Sequence, residues 1–159
     1  MFTGIVSELG TVTTAKPSGG GATITIAAPQ TCIGLAIGDS IAVNGVCLTT
    51  VGFGDGRFTV EAVSETLQRT NLGELDDGCV VDLERPVAAA GGRFDGHVVQ
   101  GHVDGVGTVR SIETEGTSKR IRITAPATPS EAPASLTVAA AAMSSSMVVG
   151  STPSRYVST

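Results

Sequence analysis

Both histidines of this 159-residue chain stand in one short segment, GHVVQGHVDG, at positions 97 and 102. Asp95 and Asp104 flank them, and histidine is the side chain best suited to proton transfer near neutral pH. A metal pair is the competing interpretation, but a spacing of five residues sends the two rings to opposite faces of an extended chain unless Gly101 breaks it. The segment therefore favours proton transfer, and no metal site is predicted.

Ser40 and Cys47 form a second candidate pair, in the segment GDSIAVNGVCLTT at 38–50. Asn and Gly both tolerate positive φ, so Asn44-Gly45 predicts a hairpin whose two strands return side by side. Both side chains could then reach one pocket. The alternative for Cys47 is a small buried hydrophobe, which is the usual role of a cysteine in an apolar strand.

The N-terminal segment MFTGIV is a third candidate, because Gly4 would allow a ligand to approach the backbone closely. An ordinary first strand would show the same sequence pattern, so the pattern alone does not separate the two interpretations.

Short β-branched runs separated by glycine-rich turns must position these residues. Strands are predicted at 11–15, 22–28, 40–51, 57–63 and 79–84. One helical turn is predicted at 64–70, with Ser64 as its N-cap. Strands this short, without long helices between them, are typical of a small antiparallel barrel.

The chain also repeats itself at a constant offset of 97 residues, which aligns 1–29 with 98–126. The identical pairs are Gly4/Gly101, Val6/Val103, Gly10/Gly107, Thr11/Thr108, Val12/Val109, Gly19/Gly116, Ile24/Ile121, Ile26/Ile123, Ala28/Ala125 and Pro29/Pro126. Two similar hairpins could arise by coincidence, but one offset held through the loop glycines favours internal duplication.

The repeat stops after residue 126. Segment 127–159 is dominated by Ala, Ser, Thr and Pro and carries only two charges, Glu131 and Arg155. A functional low-complexity tail is one interpretation, and a truncated or out-of-frame second barrel is the favoured one. Because few large apolar residues are available to offset the ordering entropy, we expect this segment to be disordered or poorly packed.

Composition limits the partners. A net charge of -5 argues against nucleic acid and anionic membranes, and no apolar run approaches the roughly 18 residues that span a bilayer. The N-terminus has neither a basic region nor a long apolar core, so no secretory signal is expected. Three cysteines without a CxxC motif predict free thiols in the cytoplasm.

Five motifs, in order, resemble the riboflavin synthase family: MFTGIV at 1–6, GDSIAVNGVCLT at 38–49, ETLQRTNLG at 65–73, LERP at 83–86 and GHVVQGHVDGVG at 96–107. The resemblance implies an all-β fold, with a six-stranded antiparallel Greek-key barrel and a partial second copy. Together with the repeat, it divides the chain into an N-terminal lumazine-binding barrel at 1–97, the start of a second homologous barrel at 98–126 and an aberrant low-complexity tail at 127–159.

The resemblance also implies dismutation of two 6,7-dimethyl-8-ribityllumazine molecules into riboflavin and 5-amino-6-(ribitylamino)uracil, without metal or cofactor. Residues linked to catalysis fall on Phe2, Ser40, Cys47, His97 and His102. Contacts to the pterin fall on Gly4, Ile5, Val6, Cys47, Leu48, Thr49, Glu61, Ala62, Val63, Ser64, Glu65, Thr66, Gly101, His102 and Val103.

The family places each active site between the N-terminal barrel of one subunit and the C-terminal barrel of its neighbour in a homotrimer. For this chain a trimer is therefore expected, with a dimer or a monomer as alternatives. Either histidine could act as the base, and Ser40 or Cys47 could polarise or attack the acceptor ring. The alternative function is a non-catalytic lumazine- or flavin-binding protein, because the second barrel is incomplete.

Overall fold

The computed structural model describes residues 1–88, 96–103, 105–124, 135–139 and 146–152. Asp95 and Asp104 lie outside the described residues, as does segment 127–159 apart from 135–139 and 146–152. In the part of the chain that the structure describes, no helix has the length and apolar character needed to cross a membrane.

Six strands close into an antiparallel barrel, as predicted, in the order β1-β2-β5-β4-β3-β6. They are β1 (Glu8–Ser18), β2 (Gly21–Ala27), β3 (Ser40–Val43), β4 (Val46–Gly54), β5 (Arg57–Val63) and β6 (Val80–Glu84). Alternate residues point into the barrel, as the two-residue period of a strand requires. Ile26, Phe58 and Leu83 are each 0% exposed at the centre of this core.

The hairpin predicted at Asn44-Gly45 is present. Its residues have φ values of 50° and 81°, and Val43 pairs with Val46 across the turn. The buried Asn44 also ties β3 to β6, since its N–H donates to the Asp82 carbonyl at 2.8 Å and its side-chain oxygen accepts from the Asp82 N–H at 2.9 Å.

A short helix, α1 (Ser64–Gln68), follows β5, and a 3-10 turn at Asn71–Glu74 follows it. The prediction that Ser64 is the N-cap is wrong. Val63 holds the N-cap position with extended backbone, and no side chain caps the helix. Strand β5 runs directly into α1, so Ser64 is already the first helical residue, and its hydroxyl accepts from Gln68 Nε2 at 2.9 Å.

A second, four-stranded sheet has the order β8-β7-β10-β9. It contains β7 (Gly105–Glu115), β8 (Ser118–Thr124), β9 (Ser135–Ala139) and β10 (Ser146–Thr152). Two segments of the tail, which was expected to be disordered or poorly packed, form the paired strands β9 and β10. Backbone pairing along the open edge of β7 does not depend on side-chain type, which explains how an apolar-poor segment can extend this sheet.

Candidate functional site

A cavity of about 230 Å³ opens beside the first barrel. Three segments surround it: the start of β4, the α1 turn and the stretch that leads into β7. Six of its lining residues were implicated by the sequence, namely Cys47, Glu65, Thr66, Gly101, His102 and Val103. Three others were not, namely Val46, Arg69 and Thr70.

Gly101 is joined to the start of β4 by a backbone hydrogen bond, in which the Cys47 N–H donates to the Gly101 carbonyl at 2.9 Å. The edge of β4 is open at this point because β5 pairs with β4 only from Thr50 onward. Gly101 has φ +78°, and a Cβ at this position would lie 2.8 Å from Cys47 Cβ. Glycine is therefore required for the two backbones to approach, and this approach places His102 in the cavity wall.

The α1 turn contributes polar groups that are partly engaged in holding the turn together. Glu65 and Arg69 form an ion pair one helical turn apart. The Thr70 hydroxyl donates to the Thr66 carbonyl at 2.6 Å and accepts from the Leu72 N–H at 3.2 Å. Among the described residues, no hydrogen bond engages the Cys47 thiol, the Thr66 hydroxyl or the His102 ring, so these groups remain available to a ligand.

Ser40 and Cys47 share the outer face of the barrel but are not opposite each other. Ser40 pairs with Thr49, and Cys47 pairs with Ala42. The two side chains are thus diagonal neighbours on one face, roughly 7–8 Å apart for such positions. Ser40 and Thr49 do not line the cavity, and the Leu48 side chain is turned into the barrel core, where it is 6% exposed.

The N-terminal residues do not line the cavity, although Phe2 is hydrogen-bonded to Val99 on the stretch that leads to it. Phe2 is only 1% exposed, so its side chain is not accessible to a ligand. Ile5 and Val6 are about half exposed, at 50% and 49%. Gly4 has φ +81° and lies against Val99. His97 lies two residues before Val99; it is exposed and is also outside the cavity wall.

Four of the residues predicted at the end of β5 and at the first position of α1 lie outside the cavity wall. Ala62 belongs to the barrel core, whereas Glu61, Val63 and Ser64 are exposed. None of these four lines the cavity. Arg69 and Thr70, which do line it, lie four residues after Glu65 and Thr66. The helical period could have identified them, because residues four apart share a helix face.

The other two cysteines, Cys32 and Cys79, pack against the barrel core, and all three cysteines are free thiols. Burial, together with the nearby Glu8 carboxylate, raises the pKa of the Cys32 thiol. Among the described residues there is no group of three or more His, Cys, Asp or Glu side chains that could hold a metal ion.

The family model of the lumazine binding domain matches residues 3–86, more than half of the chain. This chain belongs to the lumazine binding domain family. The matched residues contain the whole closed barrel and the α1 side of the cavity. The segment that carries both histidines follows the matched residues.

Proteins similar to this member of the family include riboflavin synthase of Bacillus amyloliquefaciens, 50% identical over 113 residues, which are 71% of this chain and 52% of that protein. Riboflavin synthase of Mycobacterium tuberculosis (strain ATCC 25618 / H37Rv) is 53% identical over 110 residues, 69% of this chain and 54% of that protein. The chain thus spans about half the length of the curated relatives it matches.

Among solved structures, LumP complexed with riboflavin superimposes with a TM-score of 0.69 at 25% identity, over 79% of this chain and 68% of that one. LumP complexed with 6,7-dimethyl-8-(1'-D-ribityl) lumazine gives the same TM-score and identity, over 79% of this chain and 69% of that one. The lumazine-binding barrel is therefore shared with proteins that have been crystallised with a flavin and with a lumazine.

Proposed function

We propose that the first barrel binds 6,7-dimethyl-8-ribityllumazine in the cavity between Cys47 and His102, as the N-terminal part of a riboflavin synthase. The reaction transfers a four-carbon unit from one lumazine to another and yields riboflavin and 5-amino-6-(ribitylamino)uracil. Support comes from relatives named riboflavin synthase and from LumP, which was crystallised with this lumazine.

The observation that carries the proposal is that Cys47 and His102, from distant parts of the sequence, line one cavity. The donor must lose a proton from its acidic ring methyl, and the acceptor must be polarised or attacked at a ring carbon. A histidine and a cysteine at one ligand suit these two roles. We propose His102 as the base rather than His97, because His102 alone of the two histidines lines the cavity.

Ser40, Thr49 and the N-terminal residues then have supporting roles in the proposal. Ser40 and Thr49 extend the outer face beyond Cys47, where a ribityl chain or the facing ligand could lie. Gly4 to Val6 flank the stretch that carries His102. Phe2, being buried, is proposed to hold that stretch in place instead of contacting the ligand.

Dismutation requires two lumazines held in a fixed mutual orientation, a positioning effect worth up to roughly 7–11 kcal/mol in favourable cases. One cavity of about 230 Å³ serves one heterocycle. The second must therefore come from a facing surface on another copy, and a homotrimer is the proposed assembly. A cytoplasmic location is proposed as well, supported by the three free thiols.

The open second sheet favours the alternative of a lumazine- or flavin-binding protein without turnover. Its strand order β8-β7-β10-β9 ends at edges that pair with no other described strand. If dismutation needs two closed barrels facing each other, this chain binds its ligand but does not convert it to riboflavin.

One experiment separates the two functions and tests the assignment of the base. Purified protein is titrated with the lumazine, followed by fluorescence, and riboflavin formation is then measured. We expect His102→Gln to retain binding and to lose about 10²- to 10⁴-fold in turnover, the usual loss when an acid–base group is removed.

His97→Gln is the matched comparison, with an expected smaller loss, because the His97 ring lies outside the cavity. Binding without riboflavin in the unmodified chain would select the alternative function. A larger loss of turnover in His97→Gln than in His102→Gln would overturn the assignment of the base.

A further inference from the structure

Glu84, the last residue of β6, forms an unusual set of contacts with the beginning of the chain. Its carboxylate accepts hydrogen bonds from the Thr3 N–H at 2.6 Å, from the Thr3 hydroxyl at 2.6 Å and from the Gly4 N–H at 3.0 Å. A carboxylate has about four acceptor sites, and bonds to an ionised acceptor are roughly twice as strong as neutral ones. Glu84 therefore fixes residues 1–4, called here the N-terminal strap.

The strap in turn holds residues 96–103, called here the linker segment. Phe2 and Val99 exchange two backbone hydrogen bonds of 2.7 and 3.0 Å, and the His97 N–H donates to the Thr3 carbonyl at 2.9 Å. The contact is close, because a Cβ on Gly96 would lie 2.4 Å from the Thr3 carbonyl oxygen.

Glu84 also belongs to the row of residues that ends at the cavity. Across the outer face of the barrel, Glu84 pairs with Ala42, and Ala42 pairs with Cys47. Ala42 and Phe2 are 3% and 1% exposed, although neither belongs to the core cluster of the described residues. This outer row is therefore covered. The N-terminal strap is hydrogen-bonded to Glu84 at one end of the row, and Gly101 is hydrogen-bonded to Cys47 at the other end.

We propose that Glu84 is a positioning residue for the ligand site. By holding the N-terminal strap it holds the linker segment, and so places Gly101, His102 and Val103 in the cavity wall. Its effect on lumazine affinity rests on the proposed function, whereas its effect on the linker segment does not.

Glu84→Gln is the sharpest variant, because it preserves the shape of the side chain. It removes the charge and turns an NH₂ group toward groups that are themselves donors. The first measurement is amide hydrogen exchange on the full chain. We expect about tenfold faster exchange at the His97, Val99 and Cys47 amides, from the loss of charge-assisted hydrogen bonds. The Val60 amide, on β5 inside the barrel, should not change.

Glu8→Gln is the matched control. The Glu8 carboxylate likewise accepts from two consecutive backbone N–H groups, Gln30 at 3.2 Å and Thr31 at 2.6 Å, but it holds a different loop. We expect Glu8→Gln to accelerate exchange at residues 30–31 and to leave the linker segment unchanged.

The second measurement is lumazine affinity, taken at a temperature where both variants are fully folded. Glu84→Gln should weaken binding about tenfold, Glu8→Gln should leave it within about twofold, and Glu84→Asp should restore part of the loss by returning the charge. If Glu84→Gln prevents folding, Thr3→Val removes the hydroxyl, which donates to Glu84 at 2.6 Å and accepts from the Ile5 N–H at 3.2 Å, and keeps the two backbone bonds to the Glu84 carboxylate. It should give a smaller change in the same amides.

Unchanged exchange at His97 and Val99 in Glu84→Gln would overturn the proposal. Equal weakening of binding by the Glu8 and Glu84 variants would also overturn it, since a general loss of stability would then explain the effect. If the unmodified chain binds no lumazine, the proposed function fails, and the exchange measurement still decides the role of Glu84.

Discussion

Two hairpins in this molecule share the same sequence pattern and the same pairing, yet among the described residues only the first contributes to a hydrophobic core. In β1–β2, Val12 pairs with Ile26 and Ala15 with Ile24. In β7–β8, 97 residues later, Val109 pairs with Ile123 and Ile112 with Ile121. The register shifts at the equivalent place in both, after Val12 and after Val109.

The two hairpins differ in what covers them. Val12, Ile24 and Ile26 are at most 1% exposed, because strands β3 to β6 complete the barrel around them. Ile121, the counterpart of Ile24, is 41% exposed. The repeated sequence thus determines pairing and register locally, whereas burial depends on strands elsewhere in the chain.

In the second sheet, β10 takes the position that β6 has in the barrel, but no described strand takes the position of β5. Gly10 pairs with Val81 on β6, and its counterpart Gly107 pairs with Met147 on β10. On the other side, β2 pairs with β5, whereas β8 has no second neighbour among the described strands. Gly21 reflects this difference, since a Cβ there would lie 2.2 Å from the Ala62 carbonyl oxygen on β5. Its counterpart at the start of β8 is Ser118, and no described strand pairs with β8 on that side.

Replacing one isoleucine in each hairpin should give the largest difference between them. Ile26→Ala removes a side chain that is 0% exposed and leaves a cavity, so we expect it to lower the free energy of unfolding by about 2–5 kcal/mol. Ile123→Ala, at the equivalent and only partly buried position, should cost less than about 1 kcal/mol. Urea unfolding followed by circular dichroism measures both. Equal losses would mean that the second hairpin is as well covered as the first.

Gly4 and Gly101 are also counterparts, and both have positive φ, of +81° and +78°. Alanine at either position should cost about 1–2 kcal/mol of backbone strain. At Gly101 the new Cβ also meets Cys47 Cβ at 2.8 Å, whereas at Gly4 its nearest neighbour is Val99 at 3.5 Å. We expect the overlap to add about 1–3 kcal/mol to the cost of Gly101→Ala.

The same pair of variants bears on the site. Gly101→Ala should also separate the linker segment from β4 and accelerate exchange at the Cys47 amide, which Gly4→Ala should affect less. If both variants cost the same in urea unfolding and leave the Cys47 amide equally protected, the close approach at Gly101 is not what holds the cavity wall.

Much of the first barrel could be predicted from the sequence because its signals are local. Alternating apolar residues and the Asn44-Gly45 turn indicate strands and a hairpin over a few residues. The prediction of Ser64 as N-cap used the same kind of signal and was wrong, because β5 extends to Val63, which takes the N-cap position and has no side chain that can cap the helix. The strands β9 and β10 were not predicted, since backbone pairing leaves little trace in a side-chain pattern.

The site was less accessible to prediction, because its geometry depends on distant contacts. Cys47 and His102 were both implicated, but the hydrogen bond that places them together joins Cys47 to Gly101, far apart in the sequence. Glu84 gave no signal beyond its place in the LERP motif, although its carboxylate contacts residues about eighty positions earlier. The resemblance linked Phe2 to catalysis, but no sequence pattern indicated that its side chain is buried.

The smallest expected effect concerns Asp82, which pairs with Leu9 on β1 at the place where Val148 pairs with Val106 in the second sheet. Burial raises the pKa of the Asp82 carboxyl above its usual 3.8. The folded state therefore holds this proton more tightly than the unfolded state. Stability from this group is present below pH 3.8 and is lost as the pH rises through the folded-state pKa.

Asp82→Asn should consequently stabilise the barrel near neutral pH, by less than about 1 kcal/mol because the side chain is only partly buried. The gain should vanish at about pH 3, where both residues are neutral. The backbone bonds between Asp82 and Asn44 are retained in the variant, so any change reports on the carboxyl group alone. Urea unfolding at the two pH values measures the difference in free energy of unfolding between the variant and the unmodified chain. A gain that persists at the lower pH would mean that packing rather than charge distinguishes this position from its apolar counterpart on β10.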